Sequence, residues 1–268
     1  MTAERRPPMN ASAPVVVARG TARVRWIPRQ HGASAMLAVP FLLGVAVGRP
    51  SPWQALLLVA AVSGYLASTA ALDWIRARRR ACLEPAAVFG AIFAASGLIS
   101  LAAFPRLILV VVVAGAAAAV AGWAAMSGQP RSLPASLAQA AEALMLVPAA
   151  AIVAGVGDGP TIARATLVAG LYLVSSVLVV RSMIRERGNG RFVAASIGYH
   201  VAVVAVEAWL LPWIYAALAV ALAVRAAVLP ALQLRLADGP HRLRPIHLGL
   251  VEIAASTALV LVAFLVRF

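Results

Sequence analysis

Beyond residue 31 the chain alternates between long apolar stretches and short polar breaks. The apolar stretches cover residues 32–48, 53–74, 85–103, 106–126, 136–156, 160–181, 192–210, 212–229 and 247–266. A helix rises 1.5 Å per residue, so roughly 20 residues cross ~30 Å of hydrocarbon. The breaks carry turn residues, as in Gly157-Asp158-Gly159-Pro160. The pattern predicts an all-α fold, a polytopic transmembrane helix bundle of about nine spans, with eight as the alternative count.

Composition supports lipid as the solvent for most of the chain. Hydrophobic residues make up 63% and charged residues 12%, against roughly 45–50% and 25% in a soluble domain. We expect a disordered basic cytoplasmic tail over residues 1–25 and a single transmembrane helical domain over 26–268. The single Cys82 excludes an internal disulfide.

Arginine placement predicts the orientation of the bundle. With the N-terminus inside, 19 arginines fall in cytoplasmic segments and 4 on the opposite face, a strong positive-inside bias. The loop 181–191 is then cytoplasmic, whereas 157–160 and Phe268 lie outside. The net charge of +14 resides in short loops, which favours anionic lipid headgroups at the cytoplasmic face as partners and argues against nucleic acid.

Polar residues at membrane depth are the candidates for a functional site, because each is costly unless it faces water or a partner. We expect one cytoplasm-facing cavity, lined by His31, Asp73, Glu142, Arg181, His200 and Glu252. Tyr199 precedes His200, and Glu207 follows one heptad later on the same helical face, past the midplane.

Each candidate also has a structural interpretation. Asp73 is more typical of a helix end that pairs with nearby arginines than of a catalytic acid. Glu142 and Glu252 are consistent with ion pairs to Arg181 or Arg225 inside the bundle. His200 is consistent with a hydrogen bond to a neighbouring helix.

The entrance to the first span, Arg29-Gln30-His31-Gly32, has two interpretations of its own. It is either the lip of the cavity, where small residues and the helix dipole admit an anion, or only the start of a helix whose free N–H groups it satisfies.

Motifs of known enzyme classes are absent from the sequence: it has no Cys/His metal spacing, HExxH, GxSxG or Walker loop. We therefore assign no catalytic residue and no metal ligand. The cofactor and the oligomeric state stay open.

Three segments resemble the YwiC-like family of bacterial membrane proteins. The first is Arg29-Gln30-His31-Gly32-Ala33 with Met36-Leu37 and Pro40 to Gly44, although Ser34 stands where the family usually has Trp. The others are Val180 to Arg187 with Tyr199-His200, and Leu243 to Glu252. The resemblance implies a multi-pass protein of the bacterial cytoplasmic membrane, adds Arg185, Glu186 and Arg244 to the candidate site, and implies no particular activity.

A second, weaker resemblance is to the UbiA superfamily of intramembrane prenyltransferases. It implies nine helices, an inside N-terminus and a cytoplasm-facing site with Asp-rich motifs. The corresponding places here, 71–76 and 181–188, hold one acid each, Asp73 and Glu186. Two Mg²⁺ ions need more carboxylates, so an enzyme of this type would be an intramembrane transferase without the usual metal motifs, in which arginines clamp a phosphorylated head.

Three functions are compatible with the sequence. The first is the handling of an isoprenoid, quinone-type or phosphorylated lipid. The second is a proton- or ion-coupled transporter that uses His200, Glu207 and Glu252. The third is an assembly factor for a membrane complex. A lipid site predicts a cavity open laterally to lipid, whereas a transporter predicts repeats and broken helices.

Overall fold

The structure, a computed structural model, describes Trp26 and residues 31–78, 80–236, 243, 245–266 and 268; the side chains of 31–34, 76, 77 and 245 lie outside that description. Ten α-helices and one 3₁₀ turn (Arg80–Cys82) occupy this part of the chain. The helices are α1 (His31–Val47), α2 (Pro52–Ala77), α3 (Leu83–Ala103), α4 (Leu107–Met126), α5 (Leu133–Leu144), α6 (Leu146–Val153), α7 (Gly159–Ile184), α8 (Gly190–Leu210), α9 (Trp213–Arg235) and α10 (Pro245–Leu265).

Eight helical segments within the described ranges are long and apolar enough to cross a membrane, when α5 and α6 are counted together as Leu133–Val153. The apolar part of α1, Ala35–Val47, is shorter. The prediction of an all-α polytopic bundle is confirmed.

The short helix α1 lies inside the bundle, where it packs against α6, α7 and α10. Leu43 is fully buried in a core that also contains Val147, Val168 and Tyr215. Gly44 and Gly48 face α6: a Cβ on Gly44 would stand 2.6 Å from the Val147 carbonyl oxygen. These glycines therefore permit close approach of two helix backbones, a common packing device in membranes.

A break at Met145 separates α5 from α6 within one span. Pro148 has no N–H to donate to the Leu144 carbonyl, and its ring disfavours a straight helix through this turn. The Met145 N–H instead donates to the Glu142 carbonyl over 3.2 Å, a tighter turn.

The residues that cap α2 also form hydrogen bonds to α6 at one end of the bundle. Ser51 caps α2 in a reciprocal capping box with Gln54. The Ser51 hydroxyl also donates to the Val153 carbonyl, and the Gln54 amide donates to the Ala150 carbonyl over 3.1 Å. Both polar side chains are thereby satisfied where the helices meet.

The boundary of α9 corrects one part of the sequence interpretation. We predicted a span ending at residue 229 and counted Arg225 among the cytoplasmic arginines. The helix instead continues through Pro230 to Arg235, which places Arg225 about 15 Å before its end at 1.5 Å per residue. Its side chain is 7% exposed, so Arg225 is a buried residue of the bundle.

Candidate functional site

A buried polar network joins α7, α8, α9 and α10. Each helix contributes at least one side chain: Ser175 and Ser176 come from α7, His200 from α8, Arg225 from α9 and Glu252 from α10. All five lie well inside their helices.

The charged part of the network is an ion pair between Arg225 and Glu252. The Arg225 Nη1 atom lies 2.6 Å from Glu252 Oε1, and the second carboxylate oxygen accepts a hydrogen bond from Ser176 over 2.7 Å. The two side chains are 7% and 15% exposed. Both carboxylate oxygens thus have donors, as a buried charge requires.

Two uncharged side chains, Ser175 and His200, extend the network from Arg225 through hydrogen bonds. Arg225 Nη2 donates to Ser175 Oγ over 3.2 Å, and Ser175 Oγ lies 2.6 Å from His200 Nε2. His200 Nδ1 lies 2.7 Å from the Ser196 carbonyl oxygen. A carbonyl can only accept, so Nδ1 carries a proton. With a neutral ring, Nε2 then accepts the Ser175 hydroxyl proton.

Two buried polar atoms beside this chain have no hydrogen-bond partner among the described residues: Arg225 Nε and Ser196 Oγ. Buried polar atoms are normally paired. The network therefore has spare hydrogen-bonding capacity on both sides of His200.

The buried face of α8 is predominantly polar. It consists of Ser196, His200, Val203 and Glu207. Glu207 is 6% exposed, and no hydrogen bond or ion pair involves its carboxylate in the described part of the chain. Polar side chains thus follow one face of α8 from its first half to its last turn.

A lateral groove of about 550 Å³ lies beside the network, between α7, the α5–α6 break and α8. Its lining is almost entirely apolar and consists of Leu144, Pro148, Ala163, Thr166, Leu167, Gly170, Leu171, Val174 and Tyr199. The Tyr199 hydroxyl donates to the Leu171 carbonyl over 3.0 Å and so joins two walls. Two residues of the groove, Val174 on α7 and Tyr199 on α8, are each followed directly by a residue of the network, Ser175 and His200. The groove and the network are therefore adjacent on both helices.

The predicted site residues do not all meet in this network. His200 and Glu252 do, through Ser175 and Arg225. Asp73 and Glu142 have exposed side chains and do not belong to it. Of the two pairings considered for Glu252, the structure shows the one with Arg225.

The C-terminal end of α7 forms a separate pair. Arg181 Nη2 lies 3.3 Å from Glu186 Oε1, and Nη1 donates to the Arg131 carbonyl oxygen. Glu186 also accepts from Asn189 over 2.9 Å. Arg185 is exposed at the end of the same helix. These contacts join the α4–α5 and α7–α8 connections.

Several predictions lie outside the described residues. Neither Arg29, Gln30 and Arg244 nor the tail 1–25 can be placed, and the side chains of His31 and Gly32 in the first turn of α1 are likewise not described. Their roles stay predictions.

Sequence reasoning missed Ser175, Ser176, Ser196 and Tyr172, whose hydroxyl donates to the Glu252 carbonyl. Arg225 was predicted as a possible ion-pair partner of Glu142 or Glu252, but it was also counted among the arginines of the cytoplasmic loops. The available signal was that Ser175 and Ser176 interrupt an otherwise apolar stretch at the depth expected for His200.

Comparison with known proteins shows a family likeness in the first part of the chain. The model of the family described as YwiC-like protein matches residues 27–151. Over these residues the chain is similar to YwiC-like proteins. No curated protein and no solved structure matches it. The match to the YwiC-like family covers α1 to α5 and most of α6, whereas the polar network lies in α7 to α10, beyond the matched segment. The later YwiC-like signatures, 180–187 with 199–200 and 243–252, therefore stay predictions.

Proposed function

We propose that this protein binds an uncharged isoprenoid or quinone-type lipid in the groove between α5–α6, α7 and α8. The observation that carries the proposal is a groove of about 550 Å³ with an almost entirely apolar lining. Its volume falls within the ~300–1,000 Å³ typical of ligand sites.

The form of the groove favours a chain-like ligand. Its α7 wall extends from Ala163 to Val174, roughly 16 Å at 1.5 Å per residue. The groove is open along one side, so a lipid tail can enter from the bilayer without passing through water. Thr166 presents little polarity because its hydroxyl donates to the Ile162 carbonyl.

The same lining argues against a phosphorylated head inside the groove. A phosphate there would be a charge in an apolar environment without a cationic partner among the lining residues. Of the three lipid types considered from the sequence, an uncharged isoprenoid or quinone head agrees best with the lining.

Lipid analysis of the purified protein tests this proposal. We expect isoprenoid or quinone-type lipids to be enriched several-fold over the bulk membrane. Ala163→Trp obstructs one end of the groove and should reduce the enrichment. Val112→Trp, at an exposed position of α4, is the matched control and should retain it. A bulk lipid composition in the wild-type protein contradicts the proposal.

A second candidate, a proton-coupled transporter, is favoured by the polar face of α8 and the four-helix network. Buried ionisable side chains within a span commonly mark ion or proton paths. Purified protein in liposomes loaded with a pH-sensitive dye tests it: proton flux that is lost in Glu252→Gln supports transport, and flux equal to protein-free liposomes excludes it under those conditions.

A further inference from the structure

We propose that His200 Nε2 is a proton-binding site whose occupation excludes the hydrogen bond between Arg225 and Ser175. The proposal concerns the network alone and goes beyond lipid binding in the groove. It depends on the direction of each hydrogen bond.

The tautomer of His200 is the first step. Its Nδ1 atom faces the Ser196 carbonyl at 2.7 Å, so Nδ1 is a donor in every protonation state of the network. The nitrogen that gains or loses a proton is therefore Nε2, which lies 2.6 Å from Ser175 Oγ.

The second step is the capacity of Ser175. Its hydroxyl has one proton and accepts a hydrogen bond from Arg225 Nη2 over 3.2 Å. When Nε2 is bare, the Ser175 hydroxyl donates its proton to Nε2 and accepts from Arg225, so both its donor and its acceptor function are used.

Protonation reverses this arrangement. A proton on Nε2 makes the atom a donor, so the Ser175 hydroxyl must turn its own proton away from His200. Two cationic donors, from Arg225 and His200, would then converge on one hydroxyl oxygen. Like charges so close in a poorly solvated site repel each other. Arg225 Nη2 leaves Ser175 in consequence, while Nη1 keeps Glu252.

The carboxylate on the His200 side, Glu207, lies about two turns further along α8 and does not contact the imidazole. Among the described residues, the ionisable groups that face the network from the four packed helices are Tyr172 on α7, Tyr199 and Glu207 on α8, Arg225 on α9 and Glu252 on α10. The Glu252 carboxylate is already occupied by Arg225 and Ser176. Arg225 therefore controls whether His200 accepts a proton.

Nitrogen NMR of the full-length protein in lipid, labelled with ¹⁵N-histidine, tests the proposal. His200→Gln identifies the signal. In the wild type we expect Nδ1 protonated and Nε2 bare at the pH at which the other histidines are half protonated. In Arg225→Gln/Glu252→Gln, which keeps the site neutral overall, the protonated fraction of His200 at that pH should rise about tenfold.

A milder variant guards against loss of folding. Ser175→Ala removes the acceptor that a protonated Nε2 needs and leaves the charge of Arg225 in place, so Nε2 should stay bare as in the wild type. Ser182→Ala, another buried serine of α7, is the matched control and should leave the signal unchanged. The proposal is overturned if wild-type His200 has a protonated Nε2 and a bare Nδ1, if it titrates together with the other histidines, or if the double variant behaves as the wild type.

Discussion

Neutralising Glu252 should destabilise the bundle by an amount set by the charge left behind on Arg225. Glu252→Gln preserves size and leaves an amide oxygen for Arg225, yet removes the negative charge 2.6 Å from a guanidinium that is 7% exposed. Breaking one partner of a buried pair costs about 3–5 kcal/mol. Because Glu252 is 15% exposed, we expect the lower end, about 3 kcal/mol of unfolding free energy.

The double variant Arg225→Gln/Glu252→Gln separates charge from hydrogen bonding. With both charges absent, the remaining loss is a few interhelical hydrogen bonds, on average about 0.6 kcal/mol each in a membrane protein. The double variant should thus be more stable than Glu252→Gln alone. Unfolding in mixed micelles by added SDS, followed by tryptophan fluorescence, gives the free energies. Arg164→Gln, at an exposed position early in α7, should have no effect.

The reasoning is refuted if Glu252→Gln changes the unfolding free energy by less than about 0.5 kcal/mol, the range of ordinary surface substitutions. It is equally refuted if the double variant is less stable than the single one, because the two charges would then not be coupled.

Two further predictions concern packing and orientation. Gly44→Leu should lower the melting temperature strongly, because even its Cβ would stand 2.6 Å from the Val147 carbonyl oxygen. A Cβ at Gly115 would meet nothing within 4 Å, so Gly115→Leu should leave the melting temperature nearly unchanged. Equal effects would contradict the packing of α1 on α6. A cysteine at the exposed Arg187 should resist an impermeant thiol reagent in intact cells, and one at the exposed Gly157 should react; the reverse result would invert the predicted orientation.

The helices themselves could be predicted because lipid imposes a simple rule: roughly 20 apolar residues between breaks form a span. That rule located all the long helices, and Pro148 offered a readable signal for the interruption at Met145. The extension of α9 past Pro230 was not predicted. A proline is tolerated inside a membrane helix where neighbouring helices satisfy the freed backbone group, so it does not always mark the end of a span.

The site could be predicted only in part. His200 and Glu252 were found because an imidazole or carboxylate is costly at membrane depth. Ser175 and Ser196 were missed because a hydroxyl in a helix commonly bonds its own backbone and carries no such penalty. The exposure of Glu142 depends on how α5 is rotated, and α5 buries Ala135, Ala138, Ala140 and Ala143. The buried residues of α5 are all alanines, whose small side chains specify the rotation of the helix only weakly.

The central claim is that an uncharged isoprenoid or quinone-type lipid occupies the groove along α7. A photoreactive benzoyl-phenylalanine in place of Leu167, which lines the groove, tests it most directly in native membranes. The same residue in place of Val112 on exposed α4 reports bulk lipid. Mass spectrometry of the crosslinked peptides should show an isoprenoid or quinone-type adduct at 167 and phospholipid at 112. The same phospholipid adducts at both positions would contradict the account.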